Sequence, residues 1–107
     1  MHLKFKTIPM QKHLEFVKIF HDVFKIQRSD VLKADLGTEN NFLRYNLMKE
    51  ENEEYLEAVE NKDILEIADA LGDMLYLLCG TILQYGLQYK IEAVFNEIQR
   101  SNKSKLD

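Results

Sequence analysis

Residues 50–80 read EENEEYLEAVENKDILEIADALGDMLYLLCG, and the way acids alternate with apolar side chains along this stretch decides the fold. Before Asn61 and after Lys62, apolar residues recur every three or four positions, the period of a helix with one buried face. Asn61-Lys62 breaks the pattern. Asp63 follows at once, with Glu66 three residues on, which resembles a capping box with Asp in the Ser/Thr place. The stretch is therefore the end of one helix, a turn of two residues and the start of another. So short a turn makes the two helices antiparallel neighbours. Their acids lie on either side of the turn and can face each other.

Working outward, the helix before the turn starts near Thr38, a suitable N-cap, and ends near Glu60. The helix after it runs from Asp63 to near Gly86, a suitable C-terminal glycine. An earlier helix is expected from about Pro9 to Ile26, with Leu14, Val17, Phe20 and Phe24 at helical spacing. A polar connection, Gln27 to Gly37, follows it. A last helix is expected from about Lys90 to Arg100, with Ile91, Val94, Phe95 and Ile98 on one side, and then a polar tail from Ser101 to Asp107. One proline and four glycines leave few breakers. The 107 residues fit a single all-α domain, 1–107, built as a four-helix bundle. A chain this short buries a modest fraction of its surface, so the bundle is expected to be completed by homo-oligomerisation.

Turning each residue by about 100° around the axis places Glu51 inside the apolar arc of the second helix, among Leu47, Met48, Tyr55 and Ala58. Glu50 and Glu54 fall at the edge of that arc, whereas Glu53, Glu57 and Glu60 fall on the far side as solvated surface. An ionised carboxylate on a buried face is costly unless it is paired or binds a cation. Arg44, two turns before Glu51 on the same side, can pair with an acid or reach a phosphate. On the third helix Glu66, Asp69 and Asp73 form one stripe. Beyond Asp73 that helix is apolar nearly all round, which predicts burial on all sides. Glu66 serves equally as a helix-start residue and as a ligand.

Carboxylates from two facing helices make an all-oxygen site of the kind preferred by hard cations, Mg²⁺ or Mn²⁺. Such a cation takes further oxygens from a substrate phosphate, and a spare carboxylate can act as general base. The bland alternative is that Glu51 and Asp73 pair with Arg44 or a lysine. Other sites fit less well. There is no GxxxxGK[ST] or GxGxxG phosphate loop. Neither His13 nor His21 completes the Glu-x-x-His pairing of di-iron bundles, and His2 is remote from the acids in sequence.

The apolar content of 46% and charged content of 30% suit a soluble globular protein. Residues 49–73 carry ten acids against two bases within a chain of net charge −4, a concentration that repels a nucleic-acid backbone. Cys79 is the only cysteine and reads as a small buried hydrophobe. The N-terminal segment lacks the apolar core of a signal peptide. The longest apolar run, Met74 to Cys79, is far short of the ~20 residues of a membrane span. A cytoplasmic protein with no membrane partner is expected.

The run Glu50-Glu51-Asn52-Glu53-Glu54, then EIADALGDMLYLLCGT, then VFNEIQRSNKSKL, resembles the MazG-like all-α nucleoside triphosphate pyrophosphohydrolases, nearest the phosphoribosyl-ATP pyrophosphohydrolase-like and dUTPase-like branch. The resemblance implies a carboxylate core binding Mg²⁺ in a homodimer or dimer of dimers. It implies cleavage between the α and β phosphates of a nucleoside triphosphate. By position it gives Glu51 and Glu54 as metal carboxylates and Glu50 as a further ligand or the residue that orients the attacking water. It gives Asp73 as the last acid of the second motif. Asn102 and Lys105, with Arg100 and Lys103, are given as residues suited to the substrate phosphates. The second motif is commonly ExxD, yet the position three before Asp73 is Ala70. Asp69 can supply the missing acid from the same stripe and is the favoured partner of Asp73, although Glu66-Ile67-Ala68-Asp69 also satisfies the motif. A catalytically silent metal- or nucleotide-binding module and an interaction protein with solubilising acids are the competing readings.

Overall fold

The computed structural model describes residues 9–106; His2 and the segment read for a leader lie outside them. Four helices follow in order: α1 (Met10–Val23), α2 (Thr38–Glu60), α3 (Ile64–Gln84) and α4 (Ile91–Ser104). The described residues contain no strand, and the all-α reading holds. No helix among them is long and apolar enough to cross a membrane.

The expected antiparallel pair is the backbone of the molecule. Asp63 caps α3 as its sequence predicts, its Oδ1 accepting the N–H groups of Leu65 and Glu66. The reciprocal half of the box does not form, because the Asp63 N–H is already committed to the Ala58 carbonyl at 3.1 Å. That bond and the one from Lys62 N–H to Val59 O close α2 in a Schellman motif, with Lys62 at φ +53°. A side chain in the left-handed region is strained, and glycine is not. Lys62→Gly is therefore expected to stabilise the fold by about 0.5–1 kcal/mol in denaturant unfolding, the relief of strain exceeding the added chain entropy.

Three boundaries differ from the sequence reading. The N-cap of α2 is Gly37 at φ +92°, and Thr38 is already helical. The first helix stops at Val23, where Lys25 at φ +56° closes another Schellman motif through Ile26 N–H to His21 O. The last helix continues to Ser104, taking in residues read as tail. Polar residues such as Arg100 and Lys103 propagate a helix well once its apolar side has started it.

The connection 27–37 packs across the end of α3. Ser29 and Lys33 donate their N–H groups to Leu83 O and Tyr85 O, each at 3.0 Å, and Gln88 Nε2 donates to Ser29 O at 2.9 Å. The first two bonds occupy carbonyls at the end of α3, where intrahelical partners run out. Gly86, at φ +69°, completes the α3 end in a third Schellman motif.

The apolar core is small: Leu14 and Val17 of α1 meet Cys79, Ile82 and Leu83 of α3, with Leu87 and Ile91 against them. The second half of α3 is not buried on all sides, contrary to expectation. Leu75, Tyr76 and Leu78 remain exposed because one chain supplies only α1 and α2 to cover α3. No residue of α4 is buried. Its apolar side instead walls a cleft of about 530 Å³ with Leu75, Leu78 and Ile82. The radius of gyration, 16.2 Å, exceeds the roughly 13 Å expected of a compact chain of this length.

Candidate metal centre

Glu51 reaches the α2–α3 seam as its helical position predicts, and there it meets Asp73. Glu54, one turn on, joins them. Oxygens of Glu51, Glu54 and Asp73 all lie within 4.8 Å of one another. Glu51 is half-buried, whereas Glu54 and Asp73 open to solvent. Asp73 thus does not border the interior as closely as the apolar run after it suggested.

Glu51 carries the cost of this arrangement. Desolvation pushes its carboxyl above the ordinary glutamate range, and Glu54, Asp73 and Asp69 push it further in the same direction. Its Oε2 is buried without a hydrogen-bond partner. A buried, unpartnered acceptor among like charges is what a cation satisfies, and an all-carboxylate donor set suits a hard divalent ion. Among the described residues, no lysine or arginine forms an ion pair with any of the three. The bland reading, an ion pair inside the protein, does not describe them.

The elevated carboxyl has a pH consequence. Folded Glu51 holds its proton to higher pH than unfolded Glu51, so it penalises the folded state increasingly as pH rises above the ordinary value of 4.5. Asp22, Asp35 and Glu97, held low by their hydrogen bonds, act in the opposite direction and at lower pH. His21, lowered by burial, costs stability on the acid side. A comparison of wild type with Glu51→Gln isolates the Glu51 contribution. In metal-free buffer the advantage of Glu51→Gln in melting temperature is expected to grow as pH climbs from 4.5, and added divalent cation to erase it.

The other acids are distributed around this group. Asp69, the favoured partner of Asp73 by sequence, is not one of the three grouped carboxylates but is near enough to raise the Glu51 carboxyl. It lines an adjoining cleft of about 320 Å³ with Glu54, Glu57, Glu66 and Ala70. The two halves of α3 explain this: Asp69 is one turn before Asp73 and is carried toward the Glu54–Glu57 portion of the antiparallel α2. Glu57, read from sequence as plain surface, therefore faces the cleft; its place one turn after Glu54 was the available signal. Glu66 lines the cleft and also follows the Asp63 cap, so both of its readings have a structural basis. Ala70 is buried in the cleft wall, where the usual motif carries an acid. Glu50 is exposed and belongs to neither group.

The basic residues are elsewhere. Arg44 is buried, its guanidinium bonded to Thr81 Oγ1 at 3.0 Å and Leu77 O at 2.9 Å. Arg100 is exposed and bonded to Glu97, while Lys105 Nζ donates to Asn102 Oδ1 at 3.3 Å. Lys103 is exposed on the same last turn of α4. None of the four residues 100, 102, 103 and 105 lines the cleft around the acids within the single chain. His21 is a packed residue, Nδ1 against Gln27 O at 3.3 Å, and is not part of the three-acid group. Cys79 is buried and burial pushes its thiol up, the behaviour of an inert core residue.

An all-helical chain with carboxylates converging from an antiparallel helix pair, and no phosphate loop, defines the class of MazG-like nucleotide pyrophosphohydrolases. Residues 15–102 match phosphoribosyl-ATP pyrophosphohydrolase, and the chain belongs to that family. Its reaction class is hydrolysis of a phosphoric anhydride in a nucleotide. No curated protein and no solved structure matched the chain.

Proposed function

We propose that this protein hydrolyses a (deoxy)nucleoside triphosphate between the α and β phosphates, giving a nucleoside monophosphate and pyrophosphate, with Mg²⁺ held by Glu51, Glu54 and Asp73. The observation that carries the reading is the meeting of these three acids around a buried, unpartnered Glu51 oxygen. When bound there, Mg²⁺ (or Mn²⁺) neutralises charge on the phosphates and lowers the pKa of a bound water. Asp69 contributes negative charge from the adjoining cleft and serves a second ion or the first ion's water shell. Glu50, exposed and next in the chain to Glu51, is assigned by the resemblance the orienting of the attacking water and the acceptance of its proton.

Arg100, Asn102, Lys103 and Lys105 supply the phosphate-binding charge. The first three lie on α4 and Lys105 is its C-cap; the apolar side of this helix is uncovered in one chain. A second copy covering the α3–α4 cleft would form a homodimer, alone or within a dimer of dimers, and bring such cations toward the acids. Sedimentation is expected to show no monomer at micromolar concentration.

The test is a panel of standard and modified (d)NTPs, with phosphoribosyl-ATP included, incubated with Mg²⁺ and resolved by chromatography. At least one substrate is expected to yield monophosphate and pyrophosphate, and EDTA to abolish the reaction. Diphosphate with orthophosphate would place the cut elsewhere. Ala70, standing where an acid is usual, favours a second reading as a silent nucleotide- or metal-binding module. Cation binding without turnover across the whole panel would select it.

A further inference from the structure

Two helices that carry acids at their contact repel each other, and the structure places an unusual side chain against that repulsion. Arg44 is the only buried cation among the described residues. None of their carboxylates is ion-paired with it. Buried charges ordinarily have a counter-charge. The guanidinium instead spans the seam: Nε donates to Thr81 Oγ1 and Nη2 to Leu77 O, both on α3.

The positions of these groups matter. Arg44 precedes Glu51 by seven residues on α2, which puts both on one line of the helix. Gly80 follows Asp73 by seven residues on α3, on the line facing it. A Cβ at Gly80 would sit 2.8 Å from Arg44 Nη2 and 2.8 Å from His21 Nε2. The same displacement, about 10.5 Å along each axis, thus separates the arginine contact from the acid contact on both helices. The acids are held between two fixtures, the Asn61-Lys62 turn at one end and the Arg44 bonds at the other.

We propose that Arg44 is a positioning residue: it locks the register of α2 on α3 so that Glu51, Glu54 and Asp73 converge tightly enough to bind a divalent cation. It does this without touching the cation or the substrate. This rests on the metal reading of the acids, and it replaces phosphate binding as the role of Arg44. Two donors from a planar fork fix both rotation and translation, whereas a lysine can hold one acceptor at a time. Gly80 admits the guanidinium to the α3 backbone.

The test is Mg²⁺ and Mn²⁺ binding by calorimetry to wild type, Arg44→Met, Arg44→Lys and Thr81→Val, alongside metal-free melting and nucleotide KM. Methionine fills similar space and removes an unpaired buried charge, a change that folded proteins often tolerate. Leu77 O keeps the Thr81 hydroxyl, at 3.0 Å. The expected result is a cation affinity lower by about 10-fold or more in Arg44→Met. Arg44→Lys and Thr81→Val should fall between it and wild type, with metal-free melting little changed. If Arg44→Met does not fold, a weakened cation affinity in Thr81→Val still supports the role. Wild-type affinity in Thr81→Val and in every Arg44 variant that folds overturns it. So does an Arg44 variant that raises nucleotide KM while binding cation normally. A wild-type protein that binds neither cation removes the underlying site reading itself, a result distinct from both.

Discussion

Glu51→Ala is expected to raise the melting temperature of the metal-free protein while abolishing both the stabilisation by Mg²⁺ and the hydrolysis. The two effects have one origin. The Glu51 carboxyl is desolvated, faces Glu54, Asp73 and Asp69, and has an oxygen with no donor. Removing it relieves a like-charge contact, a kind of change that often leaves a fold neutral or more stable. It also removes the inner member of the three-acid group. Residues that merely support a ligand are worth about 10- to 100-fold in affinity or activity, and a ligand itself should cost at least the upper end of that range. Melting curves with and without saturating Mg²⁺ measure both halves, because a ligand raises stability only by binding the folded state. A protein with Glu51→Ala that is still stabilised by Mg²⁺ would remove the basis of the proposed chemistry.

Gly86→Ala is expected to be the most damaging small substitution, costing about 3 kcal/mol or more. The backbone there has φ +69°, and a Cβ would collide with the carbonyl group of Val31. Val31 cannot simply move aside. Its neighbours in the connection are tied to α3 by Ser29 N–H to Leu83 O and Lys33 N–H to Tyr85 O. The substitution must break those bonds or the helix end they close. Denaturant or thermal unfolding reads the loss, at about 4–8 °C per kcal/mol for a domain of roughly this size. Gly72→Ala is the matched control. Nothing lies within 4 Å of its Cβ, and an alanine inside a helix should be stabilising by about 0.5–1 kcal/mol.

Much of this was legible in the sequence, for reasons that can be traced to residues. The α2–α3 pair is encoded locally: Asp63 caps, Lys62 turns and the apolar spacing sets the faces, so Glu51 and Asp73 could be placed on the seam before any coordinates. The same arithmetic overestimated how closed the seam is. Hydrophobicity around Asp73 reports what α3 can bury, and one chain does not bury it all. The role of Arg44 was hidden because its partners are a carbonyl and a threonine 33 and 37 residues away, and helical phase alone does not choose between an acid and a backbone oxygen. Helical spacing along α3 sets Asp69 beside Asp73, but it does not show that packing against α2 also makes Asp69 line a cleft with Glu57. The connection 27–37 reads as a polar loop because its ties to the end of α3 are made by main-chain groups of Ser29 and Lys33, which leave no compositional trace.

The three grouped carboxylates span only residues 51–73, a single hairpin of the chain. The proposed cation ligands are thus neighbours along the chain as well as in space, so a change in α1 or on α4 leaves all three side chains on one covalently continuous pair of helices.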